Sequence, residues 1–326
     1  MKAVFIIMML LPQFVWAALT AIDDAELSDM TGQAFINLDR SSSGGFDFTK
    51  VTLGLDVKTS LNSDLVELGR YERSGEVAGS SDIRISDFAL GHINDQGEIV
   101  PFEITDPFIE LAFETVNGRE NLVGVRLGFG EAKGKLSGNI EYLTGNIDIE
   151  LYGTGSYLSS QMSCGFFDLI CEGAKALVGG AWGNDEFAAN ASLVNASNGN
   201  PDPIRATHVG MPNGSNLSIP DGGGFTNFLL GLFSSSNCEL LSTQTCFPLS
   251  LYRTLDIGNK DTGAAAEGLF LSFQTKNVGW VDGGTTTTAS EGAFMNIPNG
   301  GIRTSFPEAF NGIPRARTKY VDPYFD

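Results

Sequence analysis

Four cysteines, two histidines and one short basic run are the side chains whose types and spacing could do chemistry in this chain. Six residues separate Cys164 from Cys171, and seven separate Cys238 from Cys246. Zinc knuckles favour shorter gaps of about two to four residues, so a metal site is not the expected use. An even count suits two disulfides in an oxidising compartment. Short loops close at least entropic cost, and the pairing expected is Cys164–Cys171 with Cys238–Cys246. One continuous helix over 164–171 would part the Cα atoms by roughly 10 Å, beyond disulfide reach. Local pairing therefore requires the helix to begin near Cys171. The alternative crosses the pairs and clamps the two segments together.

The histidines, His92 and His208, are too few for most acid–base sites. Asp87 and Asp95 lie near His92 in sequence, but nothing marks a serine to complete a triad. There is no G-x-S-x-G, no H-E-x-x-H and no calcium-binding helix–loop pattern. Asn94-Asp-Gln-Gly-Glu98 has the oxygens of a calcium loop and reads as an ordinary turn between Ile93 and Ile99. Gly128 to Lys135 imitates a phosphate loop, with its glycine spacing one residue too long and Leu136 where a hydroxyl is needed; it reads as strand and turn. The sequence assigns no catalytic residue, cofactor or metal, and no enzyme is expected.

Arg315, Arg317 and Lys319 put three positive charges at period two near the end of an acidic chain. On a strand they would share one face, either meeting the protein's own carboxylates or offering contacts to an anionic partner.

The elements that must position these residues are mostly strands. Forty glycines and twenty-three phenylalanines suit tight turns and pleated, half-buried surfaces. Apolar residues alternate at Val51, Leu53, Leu55 and Val57, at Ile109, Leu111 and Phe113, at Val123, Val125, Leu127 and Phe129, at Ile147, Ile149 and Leu151, and at Leu269, Leu271 and Phe273. Each such set predicts a strand with those residues on its buried face. Leu136–Tyr142 and Leu143–Ile149 repeat one pattern, and the odd period predicts a turn or bulge at Thr144-Gly145-Asn146. Two segments have helical spacing instead. Phe167, Ile170, Cys171, Ala174, Leu177 and Val178 form one, and Phe225, Phe228, Leu229, Leu232 and Phe233 the other. Between them, residues 184–224 read as polar loop. The fold class expected is mainly β, with antiparallel sheets in a sandwich or an elongated sheet, and two short amphipathic helices in a disulfide-bearing insertion. The regions expected are 18–160, an insertion over 161–250, and 251–326 completing the same domain.

Lys2, the apolar run Val4–Leu11, Pro12 and the small residue Ala17 read as a signal peptide over 1–17. The run is too short to span a bilayer, and no later segment approaches a transmembrane helix. A formal charge of −19 repels nucleic acid and anionic lipid. The chain ends in Phe325-Asp326 rather than in the terminal aromatic of an outer-membrane barrel.

Ala21-Ile-Asp-Asp-Ala-Glu-Leu-Ser-Asp-Met-Thr-Gly-Gln33 resembles a Leu-x-Asp-x-x-Leu-x-x-Val-Thr-Gly-Gln segment of exported, β-rich envelope proteins of gamma-proteobacteria, with Met30 in place of the valine. Gly292–Pro298 and Pro314–Thr318 resemble the end of the same proteins, some of which are labelled pilus-system proteins. The resemblance implies a bacterial envelope and supplies no site residue. Physically, Asp23–Met30 can begin a short helix that Gly32 ends.

Two functions follow from this reading. The first is a non-catalytic envelope or surface protein, periplasmic or outer-membrane-associated, that assembles with a protein partner. The second is a carrier of apolar ligands such as fatty acids, with Phe167, Ile170, Phe228, Leu229 and Leu232 lining its cavity.

Overall fold

A computed structural model describes residues 35–165, 168–220, 222–231 and 233–321. The expected signal peptide, the helix expected over Asp23–Met30, Phe167, Leu232 and the final residues lie outside the described residues.

The chain opens with β1 (Ile36–Ser43), β2 (Phe46–Leu53), β3 (Asp56–Thr59), β4 (Leu61–Arg70) and β5 (Ser81–Leu90). A small hairpin follows, β6 (His92–Ile93) and β7 (Ile99–Val100), then the long pair β8 (Phe102–Val116) and β9 (Arg119–Leu143), and β10 (Gly145–Thr154). The middle holds β11 (Glu186–Val194), β12 (His208–Gly210), β13 (Glu239–Leu240), β14 (Thr243–Gln244) and β15 (Cys246–Pro248). The last part adds β16 (Thr254–Ile257), β17 (Ala266–Glu267), β18 (Phe270–Gln274), the hairpin β19 (Val278–Asp282) and β20 (Thr285–Ala289), and β21 (Gly292–Ser305).

Among the described residues fifteen strands join in one sheet, ordered β1-β2-β8-β9-β18-β21-β10-β11-β12-β15, with β3 on β8, β5, β16 and β17 on β9, and β4 on β5. Its pairings are antiparallel except β10 with β21. Mainly β, as the alternation predicts, the sheet draws strands from all three expected regions. β11 and β12 correct the reading of 184–224 as loop: Phe187, Ala189, Ala191 and Leu193 of β11 point into the core. Alanine carries too little apolar area to make that alternation stand out among Asn and Ser.

β9 carries the phosphate-loop look-alike entirely within a strand, without a turn. Thr144 alone breaks β9 from β10, which then lies beyond β18 and β21 in the sheet. At Asp106, in a left-handed conformation (φ +50) and facing Gly130, the two faces of the long pair exchange roles. Before it, Phe102 and Ile104, with Ala132 and Leu136 across, enter the large core; beyond it, residues of the same parity lie under the β19–β20 hairpin.

Both disulfides pair locally, with Cα separations of 5.5 Å for Cys164–Cys171 and 5.1 Å for Cys238–Cys246. Two helices beyond the expected pair are present, Gly155–Gln161 and Phe306–Asn311; of the expected pair, the first starts at Leu169, where the Asp168 carboxylate accepts a 3.0 Å hydrogen bond from the Cys171 amide, so Cys164 stays outside it. The second is Gly224–Leu230. Arg205 pins this middle part to the sheet: its Nε donates to Asp82 at 3.0 Å, and Asp82 also accepts from the Ala293 amide at 2.9 Å. A side chain at Gly69 or Gly292 would collide with the Asp82 carboxylate at 2.2 or 2.1 Å, so this seam demands glycine.

Candidate interaction surface

Strand register sets Leu38, Val51, Ile109, Leu127, Leu271 and Met295 directly opposite one another across six strands. A parallel row runs Thr49, Leu111, Val125, Phe273, Ala293. At one end both rows enter the large core, which contains Ala293 and packs against Leu271 and Met295. At the other end nothing among the described residues covers them. Leu38 is 58% exposed, Ile36 55%, Leu122 51%, Ile109 50%, Leu127 39% and Phe273 37%. Val51, Leu53, Leu111 and Val125 are half-buried between them. Charge enters this face at its margin, with Arg40 opposite Thr49, Asp47 opposite Phe113 and Glu120 opposite Thr115. Leu122, Val125, Phe273 and Ala293, with Gly69 and Tyr71, also line an open cleft of about 370 Å³.

The reverse face is covered, its apolar packing enclosing one ion pair. Trp280 and Val278 of the β19–β20 hairpin, with Ala289, pack on Phe48, Ala112, Val123, Phe270 and Phe294. Beneath them Arg126 is fully buried. Its Nε donates to Glu110 at 2.8 Å, and its terminal nitrogens donate to Glu110, to Asp282 and, at 3.3 Å, to the Val281 carbonyl. The rings of Phe108, Phe270 and Trp280 surround the guanidinium at 5.1, 5.0 and 5.2 Å. Burial raises the Glu110 carboxyl above its ordinary range, against the pull of Arg126. Gly124 and Gly128 flank Arg126 on this face, where a Cβ would stand 3.1 Å from the Trp280 ring and 2.3 Å from that of Phe108.

This reverses the expected burial at Ile109–Phe113, Val125–Phe129 and Leu271–Phe273. The strands form as predicted, but Glu110, Arg126 and Ser272 are the buried residues, and Ile109, Leu127 and Phe273 look outward. Alternation fixes the period of a strand; which face is covered depends on the β19–β20 hairpin, which for Ile109 is 169 residues away. At Ile147, Ile149 and Leu151 the expected face is the buried one.

The other sequence-predicted residues lie elsewhere. Residues 315–319 are not a strand. Arg315 is half-buried and donates to the Asp87 carbonyl at 2.7 Å, Arg317 accepts through its carbonyl from the Ile93 amide at 2.7 Å, and exposed Lys319 edges a cleft with His92 and Asn62. Burial lowers the Arg315 guanidinium and the imidazoles of His92 and His208 from their ordinary values. His92 Nδ1 is buried without a hydrogen-bond partner among the described residues. Asn94 forms the expected turn, its side-chain oxygen accepting from the Gln96 and Glu98 amides at 3.1 and 2.8 Å.

Ile170 is 72% exposed and Phe228 64%; Leu229 is half-buried. None of the three lines the apolar cavity nearby, whose walls include Leu151, Leu158, Met162, Met211 and Phe247 and whose volume is about 30 Å³. That is room for about one water. The expected lining is corrected on this point, because the short helices turn these side chains away from the sheet. Among the described residues no helix is long and apolar enough to cross a membrane. No protein family, curated protein or solved structure matches the chain.

Proposed function

We propose that this chain is an exported, non-catalytic envelope or surface protein that works by assembling with a partner through the bare apolar face of β1, β2, β8, β9 and β18. The observation that carries the reading is that face: ordered aliphatic rows leave the core and continue uncovered across the sheet. Monomeric proteins rarely expose a contiguous apolar patch beyond a few hundred Å², and larger ones mark interaction sites. Two disulfides and a leader-like start support export. The carrier reading has less support, since the enclosed apolar space holds no acyl chain.

A photo-crosslinking residue at Leu127, in cells of the source organism, tests the assembly. A discrete adduct is expected there and none from the same residue at exposed Asp95, in the turn of the β6–β7 hairpin. Equal labelling at both positions, or none, removes the basis for the proposal. Export is checked by N-terminal sequencing, with the mature chain expected to begin at Ala18.

A further inference from the structure

We infer that the occupant of this face is a second copy of the chain, two bare sheet faces stacking about a two-fold axis; the inference rests on the assembly reading above. Size favours it. At about 200 Å² for each fully exposed large side chain, the six most exposed residues leave roughly 600 Å² in the open. The half-buried residues between them bring the face near the ~800 Å² per partner of a standard interface. Shape favours it too. An aligned face-to-face sheet pair is a stable packing about 10 Å thick, and a second copy would extend the core layer that Ala293 and Met295 already begin.

Charge points the same way. The centre of the face is neutral, and its margin carries both signs, exposed Arg40 on one side against exposed Asp47 and Glu120. An isologous interface offers each of these its opposite. A bilayer fits less well. Among the described residues β1 is an edge strand whose outer backbone groups have no strand partner, and such an edge is not tolerated in hydrocarbon. A body of charge −19 is also repelled by anionic headgroups.

Sedimentation velocity of the purified mature chain tests the inference. A species of twice the monomer mass is expected, its share rising with protein concentration. Raising the salt should tighten the dimer, because the contact is apolar and the two bodies share a sign. Leu127→Asp and Ile109→Thr should each weaken dimerisation about tenfold or more, with circular dichroism and thermal unfolding of the monomer unchanged. If Leu127→Asp does not fold, the exposed, β-compatible Ile109→Thr decides alone. The inference fails if the wild type is monomeric at every concentration and salt, if folded variants dimerise normally, or if the monomer instead binds phosphatidylcholine vesicles. A crosslink from Leu127 to a different protein, with the purified chain monomeric, overturns the second-copy reading and leaves the assembly reading standing. Loss of the crosslink overturns both.

Discussion

Two arginines sit on strands of the same sheet that only β18 separates, each among carboxylates and beside an aromatic ring. Arg303 lies at the surface of β21, donating to Glu150, Glu186 and Asp261 and stacking 4.0 Å over Tyr152. Beneath it the sheet presents Ile147, Ile149 and Ile302 to the large core. Arg126 lies in β9 with an equivalent retinue and is completely buried, while Leu127 beside it faces out. The same chemistry thus occupies the wet face in one half and the dry face in the other. Cover, not side-chain type, decides burial, and the half that buries its arginine leaves an aliphatic face to be covered from outside.

Breaking the two arginine clusters should separate the halves most widely. Arg126→Met leaves Glu110 buried and unpaired, and a loss of about 3–5 kcal/mol is expected in urea unfolding. Arg303→Met removes partly exposed pairs and should cost no more than about 0–1 kcal/mol for each. Trp280→Ala removes the lid over Arg126 and should cost about 3–5 kcal/mol. In the covered half, Ile302→Ala, at 2% exposure, should cost about 2–5 kcal/mol; Ile109→Ala should leave monomer stability nearly unchanged and act on association only. Reducing either disulfide opens a loop of seven or eight residues and should cost about 2–3 kcal/mol, without altering dimerisation if the sheet face alone makes the contact.

The smallest effect is on acid stability. The hydrogen bond from Lys58 holds Glu103 below its ordinary value of 4.5, and that from Arg84 does the same for Glu67. Their contribution is present above 4.5 and fades as pH falls through the lowered folded values. Glu110, raised by burial, runs the other way and favours the fold as pH falls toward 4.5. Glu110→Gln should therefore steepen the loss of stability on acidification, and Glu103→Gln should flatten it.

Strand periodicity made β2, β3, β8, β9, β10 and β18 legible from the sequence, and loop entropy made the disulfides legible. What stayed hidden was long-range. Nothing local tells Ile109 from Ile149 as a residue without cover. Arg126 occupies the polar phase of a strand and reads as solvated, although the glycines two residues to either side, Gly124 and Gly128, are a usable sign. Small residues flanking a charge on one strand face leave room for rings to close over it. β11 was lost among Asn and Ser because Ala189 and Ala191 are small, and the strand assigned to Arg315–Lys319 failed because period-two charge without apolar partners specifies no sheet edge.

β9 is shared by both halves, and that sets a timetable. Its partners come from β5 and β8 before it, and then from β16, β17 and β18 more than a hundred residues later. Arg126 meets Asp282 across 156 residues. Such non-local pairing closes slowly, and synthesis delivers the early strands first. Until residues 254–305 arrive, Arg126 lacks its lid and the aliphatic rows lack a finished core to grow from. During that interval the nascent chain is a strand-rich, adhesive intermediate. The C-terminal third, which also supplies Leu271 and Phe273 to the bare face, decides how long that hazard lasts.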